Sequence, residues 1–130
     1  MKYVLDTCTF FWLVDDQSKL SGLARNVLAN PQNSLHVPVI VLTELHHLVR
    51  RDKIAIHAPE GLDVWFRKGL NQHQAQCEPI TLEIAHSAEV LPPIHGDPAD
   101  RFILATAEVI GARILSPDTL MPKYSGLVIE

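Results

Sequence analysis

The sequence predicts an α/β fold built on a mostly parallel sheet with helices on both faces. Three observations carry that prediction. Apolar segments of strand length alternate along the chain with segments of helical periodicity. The strand segments are continuous apolar runs rather than alternating ones, as strands buried on both faces must be. The 130 residues contain no internal repeat, low-complexity tract or linker, so a single domain over residues 1–130 is expected.

Residues 2–5 read as a short buried strand ending at Asp6. The aromatic run Phe10-Phe11-Trp12-Leu13 follows, closed by Asp15 and Asp16. Ser21 is the N-cap of a helix reaching about Asn30, with Leu20, Leu23, Ala24, Val27 and Leu28 on its apolar face. Asn30-Pro31-Gln32-Asn33 is a turn, and residues 35–37 form a second strand. A helix from about Val39 to Arg51 carries the stripe Leu42, Leu45, Leu48 and Val49. Pro59 and Glu60 open the next, with Leu62, Trp65, Phe66 and Leu70 at helical spacing. Residues 77–80 read as a strand, and Thr81 caps a helix to about Leu91. After the loop of residues 92–96, Pro98 starts a helix through Ile103, Leu104, Ala107 and Ile110 that Gly111 ends. Strands at residues 112–115 and 127–129 complete the chain.

Hydrophobic residues make up 47% and charged residues 20%, a globular composition. No apolar run spans a membrane, and no basic region with a long apolar stretch opens the chain, so no signal peptide is expected. Cys8 and Cys77 form no metal-spaced cluster, which fits two reduced thiols in a cytoplasmic protein. The net charge of −4 argues against binding nucleic acid by bulk electrostatics. Gathering several of the 15 acids in one metal site would leave the remaining surface near neutral, and bound cations would reverse the local field.

Those acids form the chemical signal. Parallel α/β sheets place their sites at the C-terminal ends of strands. Asp6 directly follows the first strand; Asp118 follows the strand at 112–115 by three residues, behind Pro117. Asp97 and Asp100 flank Pro98 at a helix start, where backbone N–H groups favour negative charge. Glu44 lies early in the helix after the second strand, among leucines. Singly, each acid has an ordinary explanation as a cap, a turn former or a solvated residue. Jointly they place carboxylates from four segments on one sheet edge, where mutual repulsion and burial are relieved most cheaply by a hard cation, Mg²⁺ or Mn²⁺. Such a site suits phosphodiester hydrolysis. No Ser–His–acid triad, Walker loop or dinucleotide-type glycine pattern competes with it.

The series Tyr3-Val4-Leu5-Asp6-Thr7, Leu42-Thr43-Glu44-Leu45, His95-Gly96-Asp97-Pro98-Ala99-Asp100-Arg101, Phe102 to Ala107 and Leu115-Ser116-Pro117-Asp118 resembles PIN-domain ribonucleases, and among them VapC-type toxins of bacterial toxin–antitoxin modules. The resemblance implies a PIN-like three-layer α/β/α sandwich with about four to five short strands. It implies Mg²⁺- or Mn²⁺-dependent endoribonuclease activity, a homodimer and a cognate antitoxin. Asp6, Glu44, Asp100 and Asp118 match the family's metal-binding acids, and Asp97 its Asp-Pro-x-Asp-Arg signature. Thr7 and Ser116 match supporting hydroxyls, and Arg101 is expected to pair with an acid or the phosphate. Cys8 stands where a histidine is common and Gly96 where an arginine is common. The alternatives are a housekeeping PIN nuclease of RNA maturation and a catalytically silent RNA- or protein-binding PIN module.

Two Glu-x-x-His pairs, Glu44 with His47 and Glu83 with His86, could suggest a di-iron bundle, but seven prolines between 31 and 98 cut the chain too often for four long helices. The aromatic groups at Phe10–Trp12 and Trp65–Phe66 read as packing rather than base-stacking platforms. His95 is expected to order the loop before Asp97 or to meet a phosphate. Arg50, Arg51 and Lys53 form the clearest basic cluster, a solvated helix end able to steer an RNA backbone or hold an acidic partner.

Overall fold

A computed structural model describes residues 1–123. The elements run β1 (Lys2–Leu5), α1 (Thr7–Asp15), α2 (Gly22–Ala29), β2 (Ser34–Pro38), α3 (Ile40–Arg50), α4 (Leu62–Gln72), β3 (Ala75–Glu78), α5 (Leu82–Val90), α6 (Pro98–Ile110) and β4 (Arg113–Leu115). The expected strand at residues 127–129 lies outside the described residues.

The four strands form one sheet in the order β3-β2-β1-β4, and every pairing is parallel. From β1 the chain steps outward through β2 to β3, then returns to the other side of β1 for β4. The direction of winding therefore switches between β1 and β4, which opens a crevice at their C-terminal ends. Successive strand side chains point to opposite faces, and Val4 with Leu5, like Leu35 through Pro38, are buried without alternation. Helices thus cover both faces.

Two packing clusters hold the layers. Phe10, fully buried, meets Phe66 at 5.0 Å and Trp65 edge-on at 6.0 Å, which fastens α1 to α4. Burying such a ring contributes about 2–3 kcal/mol. Gly69 lets the same helices approach, because a Cβ there would lie 2.8 Å from Val14 Cγ2. Ile84 and Ala88 of α5 pack on Ala105 of α6. Gly111 ends α6 with φ of 70°, the left-handed conformation that costs glycine least. No helix of the described residues is long and apolar enough to cross a membrane.

Three sequence expectations shift. The helix expected from Pro59 begins only at Leu62, because Gly61 at φ 107° breaks it and residues 58–61 close a turn. The strand expected at 77–80 lies at Ala75–Glu78. Gln74, at φ 53°, turns the chain straight from α4 into the strand, and Pro79 cannot extend the ladder. Leu23, expected on the apolar face of α2, is 56% exposed; that helix packs through Ala24, Val27 and Leu28.

Candidate functional site

The crevice begins at Asp6. The residue is extended, with ψ of 179°, and the chain turns into α1 immediately after it. Its Oδ1 accepts the Thr9 N–H at 2.9 Å, an N-cap worth about 1 kcal/mol. The Thr9 hydroxyl donates to the Leu115 carbonyl at 2.9 Å, which ties the first turn of α1 to the end of β4. Ser116 donates to Asp6 Oδ2 at 2.5 Å and its Oγ accepts the Asp118 N–H at 3.0 Å. One hydroxyl therefore fixes the spacing of two acids from opposite ends of the chain. Asp118 is held further by the Leu120 N–H on Oδ1 at 2.7 Å and by His95 Nε2, 3.0 Å from Oδ2.

Glu44 enters from the second turn of α3, and Asp100 from the first turn of α6, whose N-cap is Asp97. Asp6, Glu44, Asp100 and Asp118 line one open cavity of about 340 Å³ with Thr7, Cys8, Leu48 and Pro117. Ligand atoms of His95, Asp100 and Asp118 lie within 4.8 Å of one another.

The electrostatics are those of an acid cluster without its counter-charge. Burial lifts Asp6 above the usual carboxylate range against the pull of its hydrogen bonds from Ser116 and Thr9. Burial, then the charges of Asp97 and Asp6, raises Glu44, while the Thr7 hydroxyl and His47 work the other way. Thr7 Oγ1 itself is buried with no partner in hydrogen-bond geometry, although it lies close enough to Glu44 to favour its ionised form. Asp100 is pushed up to about 7 by burial, then by Glu44 and Asp97. Asp118 alone falls: partial burial works upward, but the His95 bond and the Leu120 N–H outweigh it. The Cys8 thiol, desolvated and facing all four acids, is raised to about 11, so it is no thiolate nucleophile at neutral pH.

The structure thus brings Asp6, Glu44, Asp100, Asp118, Thr7 and Ser116 together. Asp97 is exposed; its Oδ1 accepts the Ala99 N–H at 2.9 Å, and it lines a second hollow adjoining the first at Glu44. Arg101 departs from expectation. Its guanidinium donates to the carbonyls of Leu91 at 2.8 Å and Pro92 at 3.0 Å, with Glu89 and His95 at 3.4 Å. A planar fork of donors suits such a ring of carbonyls, so Arg101 holds the loop that carries His95 instead of pairing with an acid.

Two side-chain pairings escaped sequence reasoning. His95 is 6% exposed and bound to Asp118; the signal was its place two residues before Asp97 in the acidic motif. The other is a Ser–His–acid set that lies away from the acid-lined cavity. Ser34 Oγ lies 3.0 Å from His36 Nε2, and His36 Nδ1 lies 2.7 Å from Glu78 Oε1. These residues belong to two strands far apart in sequence, so no spacing announces them. The Ser34 N–H is bound to the Met1 carbonyl at 2.8 Å and is not free to stabilise an oxyanion, so the set satisfies a buried histidine.

Solved structures of like fold include VapBC2 from Rickettsia felis bound to a promoter DNA fragment (TM-score 0.72, 17% identity, covering 100% of this chain and 98% of that one). VapBC-1 from nontypeable Haemophilus influenzae matches with a TM-score of 0.66 at 18% identity over 100% and 97% of the two chains. FitAcB from Neisseria gonorrhoeae matches with 0.65 at 15% over 98% and 95%. No curated protein matches the chain. The PIN domain profile matches residues 3–127, nearly the full length, and with it the acid-lined crevice of a parallel sheet has its family: the chain belongs to the PIN domain family.

Proposed function

We propose that this protein is a Mg²⁺- or Mn²⁺-dependent endoribonuclease, a single PIN domain acting in the cytoplasm as the VapC-type toxin of a toxin–antitoxin module. In this reading it forms a homodimer and is restrained by a cognate antitoxin. One observation carries the nuclease reading: four carboxylates from separate elements line one cavity at the sheet's switch point, and among the described residues no lysine or arginine pairs with any of them. The toxin reading is supported by the fold neighbours, several of which are VapBC or other toxin–antitoxin assemblies.

The donor set fits a hard divalent cation. Carboxylate oxygens dominate it, three of the four acids sit above their ordinary pKa, and the Thr7 hydroxyl beside Glu44 has no partner in hydrogen-bond geometry. Asp6, Asp100, Asp118 and Glu44 would hold the ion. When bound, it supplies a water of lowered pKa and charge stabilisation at the phosphoryl oxygens. The chain's own residues do the positioning. Ser116 and the Thr9 N–H fix the Asp6 oxygens, His95 fixes Asp118, and Arg101 holds the loop under His95.

Purified protein incubated with structured and unstructured RNAs is expected to cleave with Mn²⁺ and not with EDTA, and Asp6→Asn to lose that cleavage. Equal activity in both proteins would sink the nuclease reading. Growth arrest on expression, relieved by Asp100→Asn, tests the toxin reading separately.

A further inference from the structure

The second hollow has a use of its own. About 310 Å³ in volume, it runs along α3 and shares Glu44 with the acid cavity. Thr43 and His47 of α3 and Arg51 at its C-cap line it at intervals of four residues, so they follow one side of the helix, with Pro98 and Ala99 at the start of α6 opposite. Every member of the row can donate a hydrogen bond. Arg50 Nη2 lies 3.2 Å from His47 Nδ1; a guanidinium can only donate, so Nδ1 accepts and Nε2 is left to donate. Among the described residues Arg51 makes no ion pair. Charge is therefore sorted along the groove, with acids at the Glu44 end and a guanidinium at the other, about 10 Å of helix rise away.

We infer that this groove binds the backbone of the RNA strand leading away from the cut, with Thr43, His47 and Arg51 donating to phosphates beyond the scissile one. The inference rests on the ribonuclease reading and adds the strand's path. A strand threaded there leaves its reacting phosphate among the acids and places later phosphates, more than one internucleotide step along, beside Arg51. Contacts of this kind position a nucleic acid without reading its sequence.

The test uses the full chain with Arg51→Ala and His47→Ala, both at exposed positions, and Arg67→Ala on α4 as a basic residue outside the groove. Binding of a short fluorescent single-stranded RNA is followed by anisotropy on an Asp6→Asn background across a salt series. Arg51→Ala is expected to weaken binding about tenfold and to lower the salt slope by about one phosphate contact. In the cleavage-competent protein it raises KM and leaves kcat nearly unchanged, while Arg67→Ala changes neither. Cleavage by the wild type with binding, slope and KM unaltered in Arg51→Ala and His47→Ala overturns the groove and leaves it to a protein partner. Absence of RNA cleavage by the wild type overturns the ribonuclease reading instead.

Discussion

Two buried histidines each pair with a carboxylate, and only one lies beside the candidate site. His36 lies inside the sheet between Ser34 and Glu78, with a partner on each ring nitrogen. His95 pairs with Asp118 at the sheet's edge, beside Asp100 and within reach of a cavity that Asp6 and Glu44 also line. The first set closes on itself: one imidazole, one acid and one hydroxyl satisfy each other. At the second, one imidazole faces a surplus of carboxylates that no lysine or arginine of the described residues offsets. A hydrogen-bonded histidine–acid pair is thus not a site by itself. Uncompensated charge gathered in a partly dry crevice is what invites a cation and then a phosphate.

The sharpest way to break this contrast is to remove an acid from the surplus. Asp6→Asn keeps the N-cap acceptor and the shape, so circular dichroism should be native. RNA cleavage should fall on the order of a thousandfold, because several kcal/mol of charge stabilisation depend on the bound ion. The histidines come next. His95→Gln is expected to lower metal affinity or kcat/KM by about 10- to 100-fold, as loss of an orienting partner does. His36→Ala should instead leave kcat/KM unchanged and cost about 1–3 kcal/mol in denaturant unfolding, through a cavity and an unpaired Glu78. Activity lost equally in both variants would erase the distinction.

Proton linkage separates the regions more gently. Burial and neighbouring acids lift Asp100 from 3.8 to about 7. The metal-free folded chain therefore keeps a proton there that the unfolded chain releases above about pH 4, so this group's share of stability is lost as pH rises from about 4 to 7. Melting in EDTA should show a Tm that falls across that window, less so in Asp100→Asn, and Mn²⁺ should restore it at the high end. The smallest effect belongs to Ser34→Ala. Its hydroxyl is the partner of His36 Nε2 at the start of β2, so the change should cost about 1 kcal/mol without altering RNA cleavage.

What was legible in the sequence followed from local rules. Buried strands at residues 2–5 and 35–37, the Ser21 and Thr81 caps, and the Pro98-to-Gly111 helix each depend on periodicity and end chemistry that neighbouring residues supply. The four acids could be placed on one edge because a parallel sheet sends every strand's C-terminus the same way. Glu44 stood out because a charge among Leu42, Leu45 and Leu48 conflicts with a buried helix unless something compensates it.

Tertiary structure alone decided the rest, since those contacts join residues remote in sequence. The resemblance marked Ser116 as a supporting hydroxyl, but that it bridges Asp6 and Asp118 depends on the pairing of β4 with β1. Arg101 was expected on an acid or the phosphate and found four carbonyls, because residues 89–95 bring these acceptors within reach of its guanidinium. His36 found Glu78 through the register of β2 with β3, and Thr43, His47 and Arg51 became a groove only once α6 supplied the facing wall. The sequence by itself indicated most of the strands and helices and named the candidate acids; their distances, the burial that shifts their pKa and the hollow beside them required the packed chain, where burial sets the dielectric and topology sets who meets whom.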